Sequence, residues 1–429
     1  MRFQAIRGMK DILPGEVERW QEAERIAREF FGRYGFQELR LPIMEKTDLF
    51  VRSIGQSTDV VEKEMYTLTD VSGDSLTLRP EATAQVCRAF IEHKIHKSQD
   101  TWKVFTIGPM FRHERPQKGR FRQFHQINCE VLGPDAPEVD AEVIAMLSGF
   151  LAACGVEEIT TKLNSLGCPA CRPAYRAELT AFLKAHQSEL CPDCRRRLES
   201  NPLRALDCKN EGCRQVVAEA PAATDHLCNA CRDNFEGVLA LLNELNIPYQ
   251  LDKRLVRGLD YYVRTTFEMI SQDLGGQDAV AGGGRYDGLV AALGGPDLPG
   301  TGFAIGLERL LLLSDLEAAA FRPDVIAVPL GGEAVGEVLK MTQAMRQAGL
   351  KVVLGDAAKS IKSQMRWANK MGARGVLIIG PDEMAAKTAS VKNLEVGSQI
   401  SVTTEPAATS AVQRERFLLK WPTIDPPKD

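Results

Sequence analysis

The chain lacks any apolar run long enough to cross a membrane, and its opening residues, MRFQAIRGMKDILPG, hold no apolar signal core. The expectation is a cytoplasmic protein with no membrane partner. Both short signatures of phosphate-binding loops are also missing. There is no GxxxxGK(S/T), and no GxGxxG opens a βαβ unit. A nucleotide, if bound, must be held by another device. No large charge of one sign is present: 53 Lys and Arg stand against 57 Asp and Glu, a formal −4. The molecule is no polycation, so nucleic-acid binding has to come from local basic patches. No Ser/His/Asp constellation stands out, which argues against a triad nucleophile. What remains is an ordinary soluble composition, 44% hydrophobic and 26% charged, with room in 429 residues for two or three domains.

Cysteine is unusually concentrated. Eight of the eleven fall in CPAC (168–171), CPDC (191–194), CKNEGC (208–213) and CNAC (228–231). In a reducing compartment they read as thiols or metal ligands rather than disulfides. Cys168, Cys171, Cys191, Cys194, Cys208, Cys213, Cys228 and Cys231 supply enough thiolates for two four-cysteine zinc sites. Four thiolates leave no open coordination position, so such zinc would be structural. The other reading is reduced, unliganded cysteine in a small helical insertion. Order along the chain does not settle which pairs share an ion.

Residues 102–133 predict a hairpin with a cationic tip. Between 112 and 122, Arg112, Arg115, Lys118, Arg120 and Arg122 are opposed only by Glu114. Such a tip suits polyphosphate or a nucleic-acid backbone, while a solvated basic loop is the commoner meaning of a charge run. The return run FHQINCEVLG sets Gln126, Cys129 and Glu130 among apolar residues, so a carboxylate can face inward.

The other stretches fall around this hairpin. Residues 16–34 predict an amphipathic helix. Phe36, Leu39 and Leu41 predict a strand interrupted by Pro42, fit for a monomer's edge or for a subunit or domain boundary. Residues 65–80 predict a second hairpin, and a helix opens at Glu81. There Glu81 serves the helix dipole or holds an ammonium group. LVRGLDYYVRTTFEMI (255–270) reads as β-rich, so Tyr261 and Tyr262 would point to opposite faces and only one would line a given pocket. The triple glycine of AGGGRYDGLV (281–290) fits a close approach to ligand or a tight strand crossing. In TGFAIGLERLLLL (301–313), Arg309 needs a partner: Glu308, another acid or a bound phosphate. From Asp324 strands and helices alternate in a βαβαβ rhythm, with 14 Lys and Arg against 11 Asp and Glu. This is a separate, mildly basic domain. Its Lys359, Lys362, Arg366 and Lys370 make a nucleic-acid face or a solvated surface.

Together these stretches resemble the histidyl-tRNA synthetases, a family of class II aminoacyl-tRNA synthetases, over nearly the whole chain. LRLPIME around Pro42 is similar to the first class motif, at a dimer interface. FRHER (111–115) is similar to the second and GFAIGLERL to the third. LVRGLDYY and AGGGRYDG are similar to two signatures of the histidine family itself. The resemblance implies an α+β catalytic core over 1–321, an antiparallel sheet flanked by helices, with a Cys-rich helical insertion at 168–235. It further implies an anticodon-binding α/β domain with a mixed five-stranded sheet at 324–429.

The implied reaction is ATP-dependent ligation of L-histidine to tRNA(His) through histidyl-adenylate, by a homodimer using Mg²⁺. Carried over by motif position, Arg112, Arg257 and Arg309 would be catalytic. Glu81, Thr83, Arg112, Gln126, Glu130, Arg257, Tyr261, Tyr262 and Tyr286 would bind histidine. Arg112, Glu114, Arg120 and Arg309 would bind ATP, and Arg115, Gln117 and Lys118 would meet the acceptor end of the tRNA. The eight-cysteine insertion is not universal in the family, so the resemblance says little about its role. The alternative is a synthetase-like regulatory subunit of histidine biosynthesis without aminoacylation. That class lacks the C-terminal domain and tends to lose the signature arginines, both of which this chain has.

Overall fold

The computed structural model describes residues 3–56, 58–275, 279–317 and 320–404. The chain divides into two compact units, Met1–Ala318 and Ala319–Asp429. Among the described residues no helix is long and apolar enough to cross a membrane.

The first unit is built on an eight-stranded sheet. Its order is Gln37–Glu38, Trp102–Phe111, Gln123–Leu132, Gly300–Gly306, Ala279–Arg285, Val263–Ile270, Thr160–Ser165, Gln250–Leu251. The middle is antiparallel throughout, and each edge adds one short parallel strand. The sheet is therefore mixed, and antiparallel where it matters for the site. The long hairpin pairs in register from Trp102↔Leu132 to Phe111↔Gln123. Its return strand alternates: Ile127, Cys129 and Val131 join the hydrophobic core, while Gln126, Asn128 and Glu130 take the other face. On the core side lie helices Val17–Gly32, Pro137–Ala153 and Asn229–Glu244. Val17–Gly32 buries Trp20, Ala23, Ala27 and Phe31, a stripe at helical spacing, and Phe31 and Phe150 stack at 4.8 Å.

Three expectations shift. Before Pro42 the expected strand covers only Gln37–Glu38, and a separate strand, Met44–Lys46, follows it. Between the two, the Leu41 and Pro42 carbonyls accept hydrogen bonds from Arg79 (3.3 Å) and Gln85 (2.8 Å), so side chains replace the ladder. The run FEGVLALLNELN, whose periodicity predicts a helix over 235–246, belongs to a helix that starts earlier, at Asn229 inside the last CxxC, and ends at Glu244. Residues 255–262 are not strand; the strand begins at Val263. The Arg257 and Tyr262 carbonyls and the Asp260 carboxylate accept hydrogen bonds from other elements, described below.

Residues 168–235 fold into short helices around their own core, in which Tyr175, Leu179, Leu183, Leu198 and Val216 pack with Val256 and Tyr262. The second unit has a five-stranded sheet, ordered Val352–Leu354, Val325–Pro329, Gly375–Ile379, Thr388–Asn393, Gln399–Thr403. The first three strands are parallel and the last two antiparallel, a mixed sheet. Helix Ile361–Lys370 buries Gln364 and Ala368 and exposes Lys362, Arg366 and Lys370; Lys359 lies just before it. The part of this domain beyond Thr404 falls outside the described residues.

Candidate active site

A cavity of about 290 Å³ opens on the sheet face that carries Gln126 and Asn128. The hairpin, the start of helix Thr83–Glu92, residues 257–262 and helix Leu307–Leu313 all contribute to its wall.

One end is cationic. Arg112 Nε donates to the Pro80 carbonyl at 2.9 Å, and its guanidinium lies over the Phe124 ring at 5.4 Å. Arg120 pairs with the buried Glu114. Arg309 donates to the Gly119 carbonyl (3.2 Å) and the Ala279 carbonyl (2.5 Å), tying the hairpin tip to a strand. Glu308 is not its partner. That carboxylate accepts from the His125 backbone at 2.9 and 3.0 Å. Arg257 pairs with Glu268 and lies over the Tyr262 ring at 5.5 Å. It rests on the bare face of Gly282, where a Cβ would stand 2.3 Å from Nη1. The triple glycine thus divides its work. Gly282 makes room for a site arginine, while Gly283 and Gly284 are a tight strand crossing, a Cβ on Gly283 meeting the Gly302 carbonyl at 2.1 Å. Burial lowers the pKa of Arg112 and Arg120. Arg257 adds to the effect on Arg112, and Arg309 and Arg112 on Arg120, although carboxylates such as Glu64 oppose it. Cations crowded in a half-buried cleft suit a polyanionic ligand.

The other end is finer grained. Glu81 accepts the Thr83 and Ala84 amides at 2.7 and 3.0 Å, so it caps helix Thr83–Glu92 while still facing the cavity. Burial raises its pKa, and those amides pull it back. Tyr261 and Tyr262 both line the cavity, with rings 4.7 Å apart. The strand alternation that would have separated them does not apply before Val263. Gln126 Oε1, Asn128 Oδ1 and Arg257 Nε are buried without a hydrogen-bond partner, on residues that line the cavity. Such atoms await a ligand or water.

Residues 8–310 match the histidyl-tRNA synthetase family, and residues 324–414 match the anticodon binding domain. The chain belongs to the histidyl-tRNA synthetase family. A relative in Geobacter metallireducens named histidine–tRNA ligase is 52% identical over 403 residues, 94% of this chain and 98% of its own length. One of the same name in Nitratidesulfovibrio vulgaris is 54% identical, covering 92% of this chain and 95% of the relative. The apo histidyl-tRNA synthetase of S. aureus superposes with a TM-score of 0.78 at 35% identity, covering 94% of this chain and 97% of that one. A Bacillus halodurans protein described as an ATP phosphoribosyltransferase regulatory subunit/histidyl-tRNA synthetase shares the fold, at TM-score 0.61 and 19% identity.

Of the residues that the family motifs single out, Glu81, Thr83, Arg112, Glu114, Arg120, Gln126, Arg257, Tyr261, Tyr262 and Arg309 line the cavity. Glu130 and Tyr286 stand behind its wall. Glu130 is buried; Oε1 accepts from the Thr83 hydroxyl at 2.7 Å and Oε2 from the Tyr286 hydroxyl at 2.6 Å. Burial pushes its pKa up to about 8, against those two hydroxyls. Arg115, Gln117 and Lys118 sit exposed or half-exposed at the hairpin tip, where Gly119 takes φ +69°. Asn128, Glu268 and Glu308 are lining residues that sequence reasoning missed. Asn128 was within reach, two residues from Gln126 on an alternating strand. Nothing local marks Glu268.

The cysteines gather in two sets, Cys168, Cys171, Cys228 and Cys231, and Cys191, Cys194, Cys208 and Cys213. Within each, all four sulfurs lie within 4.8 Å of one another. Sulfurs about 2.3 Å from a tetrahedral zinc lie about 3.8 Å apart. Here Cys168–Cys171, Cys168–Cys228, Cys171–Cys231 and Cys191–Cys208 are 3.7, 3.9, 3.9 and 3.8 Å apart. The donor sets fit the group. The first and last motifs pair with each other, and the middle two pair together.

Proposed function

We propose that this chain ligates L-histidine to tRNA(His), using ATP, as a cytoplasmic homodimer. The observation that carries the reading is the convergence of Arg112, Arg257 and Arg309 on one cavity lined also by Gln126 and Asn128, whose side-chain oxygens are buried and unpaired. A histidine carboxylate oxygen attacks the α-phosphorus and pyrophosphate leaves. The terminal ribose hydroxyl of the tRNA then attacks the acyl carbon and AMP leaves. No side-chain nucleophile takes part, so the protein's work is to position reactants and stabilise charge.

Arg112 bridges the α-phosphate and the histidine carboxylate, a task that suits a planar guanidinium. Arg257 meets the α-phosphate from the other side. Arg309 holds the γ-phosphate, and Arg120 with Glu114 meets the nucleotide. Glu81 takes the α-ammonium, with Thr83 and Gln126 beside it. Tyr262 faces the imidazole from one side; Glu130, held by Thr83 and Tyr286, backs the opposite wall. A ligand without ring nitrogens would forgo the polar contacts of this pocket, which can cost about 10⁴-fold in selectivity.

Mg²⁺ would ride on phosphate oxygens. The cavity's carboxylates are engaged: Glu114 and Glu268 with arginines, Glu81 with helix amides, Glu308 with His125. Structural zinc would be held by the two cysteine sets. Arg115, Gln117 and Lys118 meet the acceptor end of the tRNA, and the second unit takes its anticodon. The exposed apolar stretch at Ile43 and Met44 meets a second copy. Aminoacylation tests the reading: with a tRNA(His) transcript and ATP, labelled histidine should become acid-precipitable as histidyl-tRNA. No charging by full-length protein would count against it.

A further inference from the structure

Residues 257–262 carry Arg257, Tyr261 and Tyr262 into the cavity, yet they pair with no strand. Three side chains of the cysteine-rich insertion hold them. Arg204 Nη1 donates to the Arg257 carbonyl at 3.2 Å. Asn201 Nδ2 donates to Asp260 Oδ1 at 2.8 Å. Arg172 Nη2 donates to the Tyr262 carbonyl at 2.7 Å. The segment is thus gripped at both ends and near its middle. Behind it lies a second cavity, about 180 Å³, that shares Arg257 and Leu259 with the first. The segment is the wall between the two, with space to retreat into where the clamp does not hold it.

The clamp leads back to one cysteine set. Arg172 directly follows Cys171. Gly167, at φ +68°, has no room for a side chain, since a Cβ would stand 2.6 Å from Cys171 Sγ. The Gly167 carbonyl accepts the Arg264 amide at 2.9 Å. Arg264, two residues past Tyr262, is held at φ +50°, a left-handed conformation that a non-glycine residue adopts only under constraint.

We propose that the insertion sets the histidine pocket: Arg172, Asn201 and Arg204 are positioning residues for 257–262, and the Cys168, Cys171, Cys228, Cys231 set anchors the grip. This rests on reading the cavity as the histidine site. Arg172 and Asn201 act at the Asp260–Tyr262 end, through the placement of Tyr261 and Tyr262, so their loss falls chiefly on the amino acid. ATP keeps Arg112, Arg120 and Arg309, which are carried by the hairpin at 102–133 and helix Leu307–Leu313.

The test uses the full chain, with Arg172→Ala, and Asn201→Asp as a near-isosteric variant that sets a carboxylate against Asp260. In ATP–pyrophosphate exchange, KM for histidine should rise about 10-fold or more while KM for ATP stays within about 2-fold. Hydrogen exchange should quicken at 257–262 while the melting temperature of Asn201→Asp is unchanged, and Arg172→Lys should recover part of the KM. Stripping metal with a chelator should quicken the same amides. Unchanged histidine KM in both variants would overturn the proposal, as would equal losses for both substrates accompanied by exchange quickened across the whole insertion. A parent protein with no histidine-dependent exchange would instead overturn the underlying reading of the cavity.

Discussion

Glu130 is buried behind the cavity, and burial holds its pKa at about 8 against its ordinary 4.5. The folded chain therefore binds this proton more tightly than the unfolded chain. Its contribution to stability is full below about pH 4.5 and is lost as pH climbs toward about 8. Glu130→Gln removes the titration. Its melting temperature relative to the parent should rise between pH 5 and pH 9 and level off above about 8; a gap that ignores pH would contradict this. Glu130→Ala should cut histidine-dependent exchange by about 100-fold while barely changing ATP binding. Gly282 and Gly283 make a matched pair. Gly282→Ala meets the flexible end of Arg257, so it should fold normally and lose about 100-fold in exchange. Gly283→Ala meets backbone, so it should lower the melting temperature instead. At this scale the chain was readable where a residue type has few uses. Arginines in apolar surroundings, a Gln and a Glu on an alternating strand, and a glycine run all pointed to the cavity region. Partners were not readable: Glu268 beside Arg257 and Tyr286 beside Glu130 meet only across the sheet.

At the scale of elements, the hairpin at 102–133 was legible because its signals are local. Alternation fixes its two faces, and Pro116 and Gly119 mark its turn. In the proposed function its parts divide the labour, with the strand end on phosphate, the exposed tip on RNA and the return strand on the amino acid. Arg115→Ala combined with Lys118→Ala should therefore raise KM for tRNA about 10-fold and flatten its salt dependence, leaving pyrophosphate exchange intact. An equal loss in exchange would place the tip in the chemistry. Residues 255–262 were misread because partners reach them from far along the chain: Arg172, Asn201 and Arg204 of the insertion, more than 50 residues earlier, and the Ile54 carbonyl, which accepts the Asp260 amide. The strand near Pro42 was overextended for the same reason, since Arg79 and Gln85 replace its ladder.

For the whole molecule, the switch to a βαβαβ rhythm at Asp324 was visible in the periodicity, and the second unit has its own sheet and core. The pairing of cysteines was not, because the first motif joins the last across 60 residues. A fragment ending at Ala318 should keep histidine-dependent exchange within about 10-fold and lose most tRNA charging; a fragment that charges tRNA normally would remove the second unit from recognition. The most direct measurement is ATP–pyrophosphate exchange by the full chain, with each amino acid in turn. Exchange is expected with histidine alone, and Arg112→Ala should lower it by about 100-fold or more. No exchange with histidine, as for a synthetase-like regulatory subunit, would contradict the proposed function.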